Sequence, residues 1–153
     1  MPHLQITTLG AIQASLDGRR LASFGTDKVR ALLVFLAVEA SRPHRREALA
    51  GMFWADRPHA AARNNLRQAL YLLREAIDDP GSESPFLRVT PNEIQFDPDS
   101  DFYLDAEQFS AHLAAPQAHH PGGLSLCGSC IAELRAAAAL YGGDFLAGFS
   151  LAG

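Results

Sequence analysis

A chain of 153 residues, 48% apolar and 20% charged, has the composition of one ordinary globular domain, or of a small domain with part of another, rather than of a disordered tail. No apolar run approaches the roughly 18 residues needed to span a bilayer, and "MPHLQITTLG" lacks the layout of a signal peptide, so the cytoplasm is the expected compartment, with no membrane partner. The net charge of −4 conceals a split: Met1 to Arg74 carries 11 Lys/Arg against 5 Asp/Glu, and Glu75 to Gly153 carries 2 against 12.

The basic front half is the candidate for an anionic partner; the alternative is two solvated surfaces with no partner. In chain order, Leu4, Ile6 and Thr8 alternate with polar or small residues, and Ile12, Ala14 and Leu16 do so again. Both runs read as strands, with Asp17-Gly18 supplying a hairpin turn. In "TDKVRALLVFLAVEA" the spacing changes to helical: Thr26 or Asp27 caps it, and Val29, Leu32, Leu33, Leu36 and Ala37 share a face. Ser41 to His44 break it. A second helix is expected from Arg45 to about Trp54, with Leu49, Met52, Phe53 and Trp54 turned inward.

Pro58 ends that helix and opens a third, from about His59 to Ile77. At about 100° per residue, Ala62, Leu66, Ala69, Leu70, Leu73 and Ile77 form a core stripe. The opposite face carries Arg63, Asn64, Arg67, Gln68, Tyr71, Arg74 and Glu75. Arginine can donate two parallel hydrogen bonds to guanine O6 and N7 or clamp a phosphate, and asparagine and glutamine match adenine in the same way. A merely solvated helix face is the competing explanation, against which no acid occurs between Arg57 and Arg74. Arg45 and Arg46 extend the basic surface toward phosphates.

"DDPGSESP" reads as a loop and "FLRVTPNEIQFDP" as a β-hairpin, from which Arg88, Thr90 and Asn92 could reach a minor groove or the backbone. Strands, three helices and a hairpin are the element order of an α+β winged helix-turn-helix. From "DPDSDFYLD" onward, "DAEQFSAHLAA" and "CIAELRAAAALYGG" are short helical patterns around a flexible "PQAHHPGG".

"KVRALLVFLAVEA", "REALAGMFWAD", "ARNNLRQALYLLREAI" and "ALYGGDFLAGF", in that order, resemble the bacterial SARP/AfsR-type transcriptional regulators. The resemblance implies an OmpR-like winged helix over 1–97 and, over 98–153, the start of a helical transcriptional activation domain similar to tetratricopeptide repeats. It further implies DNA binding at promoter direct repeats, often by two protomers, and recruitment of RNA polymerase. By the same resemblance, Arg63, Asn64 and Arg67 belong to the reading helix and the hairpin is the wing. The roughly 55 residues after Asp97 are fewer than such a helical domain needs, so the chain reads as a fragment of a larger regulator.

"HHPGGLSLCGSC" sets His119 and His120 before Cys127 and Cys130. Two imidazoles and two thiolates could complete a tetrahedral zinc site, but only the CxxC half has familiar spacing. The alternative makes the cysteines packing residues on one helix face, and no cofactor is otherwise expected. Enzyme is the weakest class, since no triad order, paired carboxylates or nucleotide fingerprint stands out. The two functions in contention are DNA-binding transcriptional activation and a winged helix docking an acidic protein through its arginine face.

Overall fold

The N-terminal alternation becomes three short strands in the computed structural model, which describes residues 2–21, 26–79, 85–119 and 128–141. β1 (Leu4–Thr7) and β2 (Gln13–Leu16) bury alternate side chains, and β2 turns into β3 (Arg19–Arg20). Asp17 and Gly18 form the turn at φ 52° and 82°. Positive φ at both positions is the geometry that matches the twist of a two-residue hairpin, and it sets Leu16 opposite Arg19.

Three helices follow. α1 (Asp27–Val38) begins at Thr26, whose hydroxyl accepts from the Val29 N–H. β4 (His44–Arg45) leads directly into α2 (Arg46–Phe53), and α3 (His59–Ala76) starts after Pro58. α3 packs against both α1 and α2. Leu32, Leu36, Leu49, Leu66 and Leu73 are fully buried between them, and the Phe35 and Phe53 rings meet edge to face at 6.1 Å. Trp54 is buried as expected, with the Lys28 ammonium 5.4 Å from its ring centroid. Met52 is half exposed, against expectation. Ala50 joins Leu49 and Phe53 in the interior, and this rotates the buried stripe of α2 away from position 52.

α3 ends in a Schellman arrangement: Asp79 N donates to Arg74 O (2.9 Å) and Asp78 N to Glu75 O (3.2 Å), with Asp78 left-handed at φ 55°. The buried Asp79 then reaches forward, its Oδ1 accepting from Phe86 N at 2.6 Å. Burial pushes the Asp79 carboxyl above the ordinary 3.8, although the Phe86 N–H and the Arg74 charge oppose the rise. As pH rises past that ordinary value the unfolded chain releases this proton first, so the folded state loses relative stability until its own carboxyl ionises. Asp79→Asn keeps the acceptor without the charge. Relative to wild type, it is expected to gain stability from about pH 4 to about pH 7 in urea titrations, and a constant difference would show no shift at Asp79.

β5 (Leu87–Val89) and β6 (Glu93–Phe96) form the expected hairpin, joined by β4 into a three-stranded sheet ordered β4-β6-β5. His44 pairs with Ile94 and Arg45 with Glu93. The His44 ring is buried against Phe35, with Nε2 2.9 Å from Glu39 O. A further strand, β7 (Phe102–Leu104), completes the other sheet in the order β3-β2-β1-β7.

The chain divides into two compact units. Among the described residues, the first holds Ala14–Phe102 with those before Ile6, and the second joins Ile6–Gln13 to those from Tyr103 to Tyr141. In the second, α4 (Asp105–His119) packs on α5 (Gly128–Leu140), with Phe109 facing Tyr141 and His112 Nδ1 2.5 Å from Glu133 Oε2. Its organising group is the buried Asp105. Oδ1 accepts from Thr8 N (2.8 Å), Thr8 Oγ1 (2.9 Å) and Ala106 N (2.8 Å), and Oδ2 from Leu9 N (2.9 Å). Asp105→Asn turns an amide donor toward one of these donors and is expected to cost about 1–3 kcal/mol in chemical denaturation. An unchanged midpoint would show that the Thr8–Leu9 turn does not depend on this carboxyl.

Candidate nucleic-acid interface

The exposed face of α3 is set by its opposite stripe. Ala62, Leu66, Ala69, Leu70 and Leu73 are buried, as their spacing predicts, so Arg63, Asn64, Arg67, Gln68 and Tyr71 stand outward. At the N-terminus, Pro58 precedes the first turn and supplies no side-chain acceptor. No acid sits in that turn, so the helix N-terminus keeps its partial positive charge toward an approaching anion.

Where α3, the start of α2 and the wing turn converge lies a groove of about 460 Å³. Arg63, Asn64 and Arg67 line it from α3, Arg45 and Arg46 from the start of α2, and Pro91 and Asn92 from the wing. Six of the residues singled out in the sequence therefore share one concavity. Glu47 is the single carboxylate among the lining residues, against four guanidiniums. Arg45, Arg63 and Arg67 form no ion pair among the described residues. Burial, followed by the charges of Arg67 and Arg74, holds the Arg46 guanidinium below the usual arginine range. Like charges gathered this closely repel, and an anion entering the groove relieves that repulsion.

The remaining candidates are placed differently. Arg74 is half-buried near the end of α3, its Nε 3.8 Å from Asp79 Oδ2. Neither atom has a hydrogen-bond partner among the described residues, and Arg74, held by charge near Asp79, does not line the groove. Arg88 projects from β5 with Nη2 2.8 Å from Asp97 Oδ1 and 3.7 Å from Asp99 Oδ2. The Thr90 hydroxyl accepts from Glu93 N at 2.9 Å and so helps close the wing turn. Gln68 and Tyr71 share the exposed face without lining the groove. His120 and Cys127 lie outside the described residues, and His119 and Cys130 are described only as helical backbone; metal analysis of the purified protein tests the zinc expectation directly.

Sequence reasoning missed that Arg46 is bonded to the wing. Its Nε donates to Thr90 O (3.0 Å) and its backbone N–H to Asn92 O (2.9 Å). The two partners are 44 residues apart along the chain, and no local spacing encodes such a pairing.

The chain is 32% identical over 79 residues to the transcriptional regulatory protein EmbR of Mycobacterium tuberculosis, strain H37Rv, and equally to EmbR of Mycobacterium bovis. The match takes in 52% of this chain and 20% of the relative, so the chain spans about a fifth of the length of the curated relatives it matches. A solved structure, Mycobacterium tuberculosis EmbR in complex with a low affinity phosphopeptide, superposes with a TM-score of 0.75 at 26% identity. That superposition covers 95% of this chain and 38% of the other. No family model matches the chain. Among the described residues, no helix is long and apolar enough to cross a membrane.

Proposed function

We propose, from its likeness to EmbR in sequence and fold, that this chain is a SARP/AfsR-type transcriptional regulator sequence with a winged-helix domain, and that it binds specific duplex DNA through the groove formed by α3, the start of α2 and the wing. One observation carries this reading: Arg63 and Arg67, in no ion pair among the described residues, line with Asn64 the same concavity as Arg45, Arg46 and Asn92. In a winged helix the reading helix enters the major groove by its N-terminal half, and here that half holds the residues able to make bidentate contacts to guanine and adenine edges. The cations at the start of α2 sit where a flanking phosphate passes, and the wing turn, with Asn92 at its tip, meets the adjacent backbone or minor groove.

Activation through contact with RNA polymerase, binding of two protomers on direct repeats, a non-enzymatic role and a cytoplasmic location complete the proposal, and the family resemblance supports them. Selection of bound sites from random duplexes at two salt concentrations tests it. The expected outcome is a recurring motif repeated at helical-turn spacing, with log K falling linearly in log[salt]. Recovery of random sequence with no enrichment would refute specific reading.

A second reading, docking of an acidic protein through the same arginine face, draws support from the solved EmbR structure, whose partner is a phosphopeptide. The two separate by competition. A bound acidic peptide that excess selected duplex fails to displace points to protein docking.

A further inference from the structure

The wing is poor in cations of its own. Arg88 is the sole Lys or Arg between Glu75 and Glu133, and its guanidinium is answered by Asp97 and Asp99. The turn adds a carboxylate at Glu93, and the backbone and hydroxyl of Thr90 are taken up in closing on that residue. A wing that meets a polyanion needs positive charge from elsewhere.

Arg46 stands in the right place to supply it. As the first residue of α2 it donates Nε to Thr90 O and its backbone N–H to Asn92 O, so it holds both sides of the turn. Its side chain is half-buried in the groove beside Arg67, and its terminal amines form no hydrogen bond among the described residues. A planar guanidinium can spend one donor on a carbonyl and keep others for a phosphate oxygen, which a lysine ammonium at the same distance does less well.

We infer that Arg46 is the positioning residue that couples the wing to the start of α2, its Nε–H fixing the turn while its terminal amines lend the wing a phosphate contact that Arg88 does not provide. The phosphate half of this inference rests on the DNA-binding reading above; the bracing of the turn does not.

Both halves are testable with Arg46→Lys and Arg46→Met, and with Arg20→Ala, on the exposed first hairpin, as a charge-loss control. Amide hydrogen exchange in the free protein reports the turn. The Thr90 and position-46 amides are expected to exchange several-fold faster in both Arg46 variants and to stay at the wild-type rate in Arg20→Ala. Binding is then measured against a random-sequence duplex pool and a selected duplex across a salt series. Arg46→Met is expected to weaken both by a similar factor, about tenfold, and to make the salt slope shallower by about one. Arg46→Lys should keep the slope while still freeing the turn. Thermal melting checks folding, and the lysine variant carries the test if the methionine variant melts early. Wild-type exchange at both amides in both variants would overturn the bracing role, and an unchanged slope in Arg46→Met the phosphate role. Wild-type protein that binds neither duplex refutes the DNA reading, and with it the phosphate half, while the exchange rates still decide the bracing.

Discussion

Leu66→Ala is expected to destabilise the winged-helix unit by about 2–5 kcal/mol, measured as a lower urea midpoint at unchanged slope. Leu66 is 1% exposed and sits at the centre of the α3 stripe, between Ala62 and Leu70, on the face that α3 presents to α1 and α2. Truncation removes its transfer free energy and leaves a cavity, which long helices on either side can collapse into only in part. The effect reaches function as well, because Leu66 underlies the groove that Arg63 and Arg67 line. Leu72, six residues further on the same helix, provides the contrast. It is 41% exposed, and its alanine variant is expected to stay within about 0.5 kcal/mol of wild type. Equal losses at the two positions would mean that the stripe has been assigned to the wrong face.

Arg63→Ala and Arg67→Ala are each expected to weaken binding to a selected duplex by about 1–3 kcal/mol, or roughly 5- to 150-fold, with melting temperature unchanged. Stability should hold because both side chains are exposed and neither is in an ion pair among the described residues. Loss of a base contact relaxes preference at one base pair of the site, whereas loss of a phosphate contact lowers affinity for every sequence alike and flattens the salt slope. Measuring each variant on the selected duplex and on single-base variants of it assigns the role. Since the two arginines lie one turn apart in one groove, the double variant should depart from additivity. Wild-type affinity in both single variants would remove α3 as the reading element.

The pair of expectations shows why so much of the first unit could be read along the chain. A helix that buries one stripe must repeat every 3.6 residues, so α3 declared both its core face and, by subtraction, its free face. The hairpin turn at Asp17-Gly18 was equally legible, because few residue pairs accept positive φ at consecutive positions. Four errors or omissions have a common cause. Two-residue β4 is too short to show a period, and three-residue β7 follows a run of acids without an alternation of its own. Met52 sat within the helical pattern, but Ala50, too small to register as a core residue, turned the stripe. Arg46 was read as a free cation, although its side chain is bonded to a wing turn far along the chain.

Local periodicity, turn chemistry and charge distribution were thus determined by the sequence alone: which faces are apolar, where the chain reverses, and that most of the guanidiniums belong to the front half. What the tertiary structure decided is which of those guanidiniums remain available. Arg74 faces Asp79 and Arg88 faces Asp97; Arg46 gives its Nε to Thr90 and keeps its terminal amines, while Arg63 and Arg67 are in no ion pair among the described residues and line the groove. The reason is physical. Exposure follows from a residue's own helix, but pairing depends on which distant carboxylate or carbonyl the fold brings within about 3–4 Å, the range over which hydrogen bonds form and charge pairs are strongest.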